Sequence, residues 1–204
     1  MDSARQRTPL MDPGDEAARI QEAQHGSQKA FGEIVRNYQR AIYRVAWGLT
    51  RNASDADDLA QETFVRAWQA IGRFRVGEPL YPWLSRITVN LAYSLHRRRK
   101  RRPETSIEPL VEAGQQWGVE DDPAEHTSRK ERDAHLQEAF AGLSPEHQAV
   151  LVLRVVEDLS YEEIAKSLNV PAGTVMSRLS RARAELKSKL AERTGESLES
   201  PDTR

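Results

Sequence analysis

Residues 160–183 constrain the fold most, because they predict two short helices joined by a tight turn. Ser160 and Glu163 have the spacing of a capping box, in which each side chain binds a free backbone N–H at the start of a helix. Residues 169–170 form the turn, and the second helix runs over about 172–190. This pattern is typical of a helix-turn-helix, whose second helix can enter the major groove of DNA.

Positive charge dominates the second of these helices. Residues 173–190 contain five basic side chains and only one acid, Glu185. The apolar side chains that recur at helical spacing and hold this helix to its partner are Val175, Leu179, Ala182 and Leu186. The side chains that then project outward are Thr174, Ser177, Arg178 and Arg181. Arginine can pair with guanine edges or with phosphates. The alternative is a solvated basic face on an ordinary helical hairpin.

A second basic segment lies far upstream, at residues 96–102, where six cations stand in a row from Arg97 to Arg102. One or two would complement the negative end of a helix. Six repel one another, and a bound polyanion relieves that repulsion and releases counterions. The aromatic residues that precede the run are Phe74, Tyr81 and Trp83. Such rings can stack on unpaired bases, although Phe74 and Trp83 fit a hydrophobic core at least as well.

Composition excludes several classes of protein. The chain has 204 residues, room for one large or two small domains, and its 38% hydrophobic and 30% charged residues suit small helical domains. It has no cysteine, which excludes disulfides and cysteine-ligated zinc. No apolar run is long enough to cross a bilayer, and residues 1–23 lack the apolar stretch of a secretory signal. The net charge of -1 is uninformative, because only the distribution of charge points to nucleic acid.

Helical periodicity predicts an all-α fold of two small domains. Ser27 and Ser54 are the expected N-caps of the first two helices. Between the domains lies a segment with three prolines, many acids and no lysine or arginine, which predicts a flexible acidic linker. The expected organisation is a disordered tail at 1–24, a first domain at 25–102, the linker at 103–128, a second domain at 129–194 and a disordered tail at 195–204.

The second predicted helix begins with a cluster of acidic and polar side chains. They are Asp55, Asp57, Asp58, Gln61 and Glu62. Asp58 and Glu62 are four residues apart and could ligate a divalent cation, but no second acidic helix and no histidine pair completes such a site. The charges also suit the positive end of the helix dipole. A third interpretation is a docking surface for a basic partner.

Three sets of residues together match one family. They are DDLAQETFVRAW at 57–68, WLSRITVNLA at 83–92, and LSPEHQ, LSYEEIA and GTVMSRL at 143–148, 159–165 and 173–179. They resemble, in order, the polymerase-binding helix, the start-proximal promoter helix and the upstream-element domain of a bacterial RNA polymerase sigma factor. The resemblance is to the extracytoplasmic-function (ECF) type, sigma-70 family group IV. It covers about 31–190, apart from the linker.

The resemblance implies a role for each surface. The residues implied to meet the clamp helices of the polymerase's largest subunit are Asp57, Asp58, Gln61 and Glu62. Those implied to bind, and help open, the minus-ten element are Phe74, Tyr81, Trp83, Arg86, Asn90, Arg97, Arg98, Arg99, Lys100 and Arg101. Those implied to read the minus-thirty-five element are Thr174, Met176, Ser177, Arg178, Ser180 and Arg181.

Further partners follow from the same resemblance. It implies contact with the flap of the second-largest polymerase subunit, a linker that threads toward the RNA exit path, and restraint by an anti-sigma factor. It also implies a cytoplasmic protein with no membrane insertion, no enzymatic activity and no cofactor.

Two departures and two alternatives accompany the resemblance. Ser94 stands where many members carry aspartate, and Met176 stands where a basic residue is frequent, so promoter preference cannot be transferred. One alternative is a helix-turn-helix regulator with a helical sensor domain. The other is a metal-dependent hydrolase that uses Asp57, Asp58 and Glu62.

Overall fold

A computed structural model describes residues 11–101 and 123–194, with side chains from 132 onward in the second range. Within these ranges it has no strand and eight α-helices. They are α1 Pro13–Gln24, α2 Gln28–Thr50, α3 Ala53–Ala70, α4 Leu80–Arg101, α5 Pro123–Ala141, α6 Pro145–Leu151, α7 Tyr161–Leu168 and α8 Ala172–Thr194. A short 3-10 turn, Ile71–Arg73, follows α3, and a π-helical segment, Val152–Val156, follows α6. The all-α prediction is confirmed.

The structure describes only part of the predicted linker and tail, and it moves one predicted boundary. Residues 103–122 of the expected linker and the expected tail at 195–204 lie outside the described residues. The linker was expected to reach residue 128, but α5 is already helical from Pro123.

The N-terminal prediction needs a correction. The segment expected as a disordered tail contains α1, which packs against α2 with Ile20 fully buried and Ala23 nearly so. Asp12 caps this helix by accepting a hydrogen bond from the Gly14 N–H at 2.9 Å. Only these two side chains of α1 are buried, so its apolar pattern is too sparse to recognise in the sequence.

The first domain is a bundle of α1 to α4 around the long helix α2. Ser27 caps α2 as expected, but α3 begins earlier than expected because Asn52, not Ser54, is its N-cap. The Asn52 side chain accepts from the Asp55 N–H at 3.0 Å. Arg51, with φ of 52°, supplies the left-handed residue that lets the chain turn sharply between α2 and α3.

The second domain is built from α5 to α8. Ser144 caps α6, and the expected capping box of Ser160 and Glu163 begins α7. Asn169, at φ of 55°, ends α7 in the left-handed conformation that the tight turn requires. The start of α8 therefore crosses α7 and presents its outer face to solvent.

The two domains pack directly against each other. α7 lies along α4, and the π-helical segment lies on α2. Gly48 makes this approach possible, since a Cβ at that position would lie 2.8 Å from the Val152 side chain. The buried side chains of both domains form one continuous hydrophobic core. The sequence left open whether the domains touch, and in this structure they do.

Candidate nucleic-acid interface

The first turns of α8 present polar side chains to solvent. Val175, Leu179 and Ala182 are buried, as their helical spacing predicted. The predicted reading residues that are exposed are Met176, Ser177, Ser180 and Arg181. The Ser177 hydroxyl donates to the Thr174 carbonyl at 3.0 Å, so it is partly engaged with its own helix.

Thr174 and Arg178 are only half exposed. The positive charge of Arg178 also acts on Tyr93 of α4. The pKa of Tyr93 is raised to about 12, chiefly by burial and then by the charge of Glu146, while the charge of Arg178 lowers it. The expectation of a fully exposed Arg178 is therefore not met while the domains are docked.

An exposed stripe runs along α4 and ends in the basic run. Its members are Arg86, Asn90, Ser94, Arg97 and Arg101. At about 3.6 residues per turn these positions stay within about a quarter of the helix circumference, over a length of about 22 Å. The stripe can therefore follow a nucleic-acid backbone along one face of the helix.

The rest of the basic run points in several directions, because α4 continues as a helix through Arg101. Arg98 and Lys100 are exposed beside the stripe. Arg99 turns away and forms an ion pair with Asp55 at 2.7 Å, at the start of α3. The run is thus not one uniform patch, and the last cation, Arg102, lies outside the described residues.

The aromatic residues upstream of the run are not open stacking platforms. Phe74 and Trp83 are half-buried and pack on each other with ring centroids 4.9 Å apart. Tyr81 is only 5% exposed and stacks on Tyr38 at 6.1 Å. The interpretation of Phe74 and Trp83 as core residues describes their packing best.

Tyr81 also takes part in a buried polar contact between the domains. Its hydroxyl donates to Glu157 of the second domain at 2.6 Å. Arg44 donates to both oxygens of the same carboxylate, at 2.7 and 2.9 Å. Burial and then the charge of Glu157 raise the pKa of Tyr81 well above its usual value. Sequence reasoning missed Glu157 and Arg44, for which the only signal is a glutamate that ends the apolar run 149–156.

The acidic and polar side chains at the start of α3 are mostly exposed to solvent. Asp57, Asp58 and Gln61 are exposed, whereas Glu62 is half-buried and pairs with Arg66 at 2.7 Å. Val65 lies one turn further along and is 51% exposed. Over the described ranges no group of three or more histidine or acidic side chains could hold a metal ion. The described residues thus give the hydrolase interpretation no support.

Among the residues placed by the structure, no helix is both long enough and apolar enough to span a bilayer.

Comparison with known proteins assigns both domains. Residues 34–102 match the family model of sigma-70 region 2, and residues 134–186 match that of sigma-70 region 4. The ECF RNA polymerase sigma factor SigE of Mycolicibacterium smegmatis is 39% identical over 172 residues, which are 84% of this chain and 65% of SigE. SigW of Bacillus subtilis, also an ECF sigma factor, is 31% identical over 84% of this chain and 95% of SigW.

Two solved structures share the fold. One is CnrH in complex with the cytosolic domain of CnrY, with a TM-score of 0.64 and 26% identity over 87% of this chain and 98% of CnrH. The other is the sigma factor RpoE in complex with the anti-sigma factor NepR from Bartonella quintana, with a TM-score of 0.62 and 29% identity over 79% of this chain and 97% of that one. The chain therefore belongs to the sigma-70 family, as a sigma factor of the ECF type.

Proposed function

We propose that this sigma factor uses three separate surfaces to bring core RNA polymerase to a two-element promoter. The observation that carries the proposal is the order and exposure of these surfaces. An acidic helix and a polar and basic stripe lie on the region 2 domain, and a basic recognition helix lies on the region 4 domain. A helix-turn-helix regulator with a sensor domain would not need the acidic helix.

The acidic face of α3 is the proposed contact with the clamp helices of the largest polymerase subunit. Asp57, Asp58 and Gln61 are exposed and available to a basic partner. Glu62 is held by Arg66, so it would contribute after exchanging that partner. Complementary charge of this kind guides encounter and fixes the register of two surfaces.

The α4 stripe is the proposed contact with the minus-ten element. Arg86 and Asn90 can reach bases or phosphates at its start, and Arg97 and Arg101 can hold phosphates at its end. The connection before α4, residues 74–79, is the proposed place where an unpaired base is captured. Tyr81 would join this surface only after the second domain moves away from it.

The outer face of α8 is the proposed contact with the minus-thirty-five element. Arg181 is exposed, and Met176, at 52% exposure, offers an apolar surface to a thymine methyl group. Because this position is methionine here, the sequence preference of this helix is its own.

An apolar surface supports the proposed contact with the flap of the second-largest subunit. Val155 and Val156 are 69% and 45% exposed at the end of the π-helical segment. Large apolar side chains exposed side by side often mark a protein interface. An anti-sigma partner is proposed because similar sigma factors have been solved in complex with one. A cytoplasmic location and the absence of enzymatic activity are proposed with the same assignment.

Reconstitution with purified core polymerase tests the function. We expect the chain to co-elute with core enzyme on size exclusion and to start transcripts at defined positions on promoter DNA. A regulator with a sensor domain would bind DNA alone and would not co-elute. Core enzyme without the chain is the control for initiation.

A further inference from the structure

The helix α1 lies outside the region 2 match, which begins at residue 34, yet it contacts both ends of the connection between α3 and α4. At the first end, the Gln24 side chain donates to the carbonyls of Ile71 and Phe74, at 3.0 and 2.6 Å. At the second end, the Glu16 carboxylate accepts from the Leu80 N–H at 3.2 Å. These two side chains are eight residues apart, which is about 12 Å along a helix.

The Glu16 contact satisfies a backbone group that its own helix leaves free. Leu80 is the first residue of α4, where backbone N–H groups have no partner within the helix. A carboxylate there also suits the positive end of the helix dipole. The other oxygen of Glu16 accepts from the Tyr38 hydroxyl, which fixes the carboxylate in place. Fully buried Ile20 anchors α1 between the two contacts.

Other contacts also support the connection, since Phe74 packs on Trp83 and Glu78 pairs with Lys166 of α7 at 3.3 Å. Within it, Phe74 N–H donates to Ile71 at 2.9 Å and Glu78 N–H donates to Arg75 at 3.2 Å. Gly77 adopts a φ of 93°, and residues 77–79 are exposed. Gln24 and Glu16 are the side chains of α1 that hold the two ends of the connection to the first domain.

We propose that Gln24 and Glu16 are positioning residues, which hold residues 74–79 in the shape that receives an unpaired minus-ten base. The inference rests on the proposed function, which assigns base capture to this connection. It adds that a helix beyond the matched family region sets the geometry of capture. α1 is on this account part of the promoter-opening apparatus and not only a cover for α2.

The test compares Gln24→Leu with Gln21→Leu in the full-length holoenzyme. Leucine keeps the bulk of Gln24 but removes both hydrogen bonds, and Gln21 lies on the exposed face of the same helix. The DNA is a duplex promoter that the unaltered holoenzyme selects from a random library. We expect Gln24→Leu to slow open-complex formation about tenfold or more, the effect of losing two net hydrogen bonds. Gln21→Leu should leave the rate of open-complex formation unchanged. Neither substitution should change the affinity for core enzyme.

A promoter series with single abasic sites in the non-template strand supplies the second readout. At the captured position the abasic site should impair the unaltered holoenzyme, and there Gln24→Leu should cause no further loss. Equal sensitivity of both proteins at every position would overturn the positioning role while leaving base capture intact. No sensitive position in the unaltered holoenzyme would instead refute the proposed function of the connection.

Gln24→Leu would give a different set of results if it acted only by destabilising the first domain. Gln24→Leu would then lower the melting temperature and core binding together with promoter opening, and the inference would be wrong. If this variant does not fold, Gln24→Asn takes its place, because it keeps the amide but shortens its reach. A slow opening step in Gln24→Asn with normal core binding supports the inference, and normal opening refutes it.

Discussion

At the scale of single residues, the proposed function divides the basic side chains into those expected to reach base edges and those expected to hold the DNA backbone. Arg181 stands exposed on the outer face of α8, near the start of the helix. Arg97 and Arg101 end the exposed stripe of α4. A side chain that pairs with a base discriminates between sequences, whereas a phosphate contact weakens all sequences alike when it is lost.

The first prediction separates reading from holding. Arg181→Ala and Arg178→Ala should each cost about 1–3 kcal/mol on a matched minus-thirty-five element, and little on a mismatched one, if they make bidentate base contacts. Arg97→Ala and Arg101→Ala should weaken all promoters and reduce the salt slope by about one unit per contact. Holoenzyme binding to both promoters over a salt series measures this.

Arg99→Ala is the internal control for that series, because Arg99 is paired with Asp55 and should change the salt slope least. Equal losses on every promoter for Arg178→Ala and Arg181→Ala would make both residues phosphate contacts. Base reading would then rest on Thr174, Met176, Ser177 or Ser180.

The second prediction concerns the acidic face of α3. The double variant Asp58→Lys, Glu62→Lys should bind core polymerase more weakly by about 2–5 kcal/mol, the cost of losing one member of a desolvated charge pair. The loss of charge near the helix start should cost only about 0.3–1 kcal/mol in stability for each residue. Affinity for core enzyme and thermal unfolding are measured side by side.

Glu162→Lys is a matched control, since Glu162 is exposed in the first turn of another helix, α7. A double variant that unfolds early but binds core enzyme normally would show that these acids only stabilise α3.

At the scale of helices, local signals predicted most of the structure. Ser27 and the capping box at Ser160 and Glu163 lie where their side-chain chemistry placed them. The N-cap predicted for α3, Ser54, was wrong by two residues. Serine and asparagine are both favourable N-caps, and the left-handed turn at Arg51 places Asn52 at the start of the helix. α1 was missed because its stability comes from packing on α2, which the sequence pattern does not display.

The third prediction tests that cap. Asn52→Ala should destabilise the first domain by about 0.5–2 kcal/mol, because the Asp55 N–H loses its acceptor. Ser54→Ala should change stability little, because Ser54 is an exposed residue within the first turn of α3. Denaturant unfolding followed by circular dichroism measures both. A larger effect at Ser54 would restore the sequence-based boundary.

At the scale of the whole molecule, the docked arrangement conflicts with simultaneous binding of both promoter elements. The two elements are named for positions about 25 base pairs apart, which is about 85 Å of duplex at 3.4 Å per base pair. In the structure α7 packs on both α4 and α8, which places the recognition helix beside the first domain, and α4 is about 33 Å long. The domains must therefore separate before the chain can bind a promoter.

The packing of the second domain against the first could not be predicted from the sequence. It depends on the fit of Gly48 against Val152 and on a carboxylate that reaches across the chain to Arg44 and Tyr81. Neither feature has a periodic pattern in the sequence. The residues that the carboxylate brings together are far apart in the chain, 113 positions for Arg44 and Glu157 and 76 for Tyr81 and Glu157. The same contact buries Tyr81, which is why the site predicted from the sequence is incomplete in this state.

The fourth prediction concerns that contact. Glu157→Gln keeps the size of the side chain but removes its charge, and should weaken docking by about 1.5–3 kcal/mol, the typical contribution of a hydrogen bond to a charged group. Because the chain has no cysteine, dyes can be attached at Ser54→Cys and Ser180→Cys. Energy transfer should fall in Glu157→Gln and stay unchanged in the exposed control Glu162→Gln. Unchanged transfer in both would show that Glu157 does not hold the domains together.

The most direct test of the central claim is initiation by the purified chain and core polymerase on a library with random upstream sequence. We expect transcripts whose templates share two conserved elements at one fixed spacing. We also expect Arg181→Ala to change the selected upstream element, and Arg86→Ala or Asn90→Ala to change the downstream one. Transcripts without any shared element, or selection altered equally at both elements by each variant, would contradict the assignment of two separate promoter surfaces.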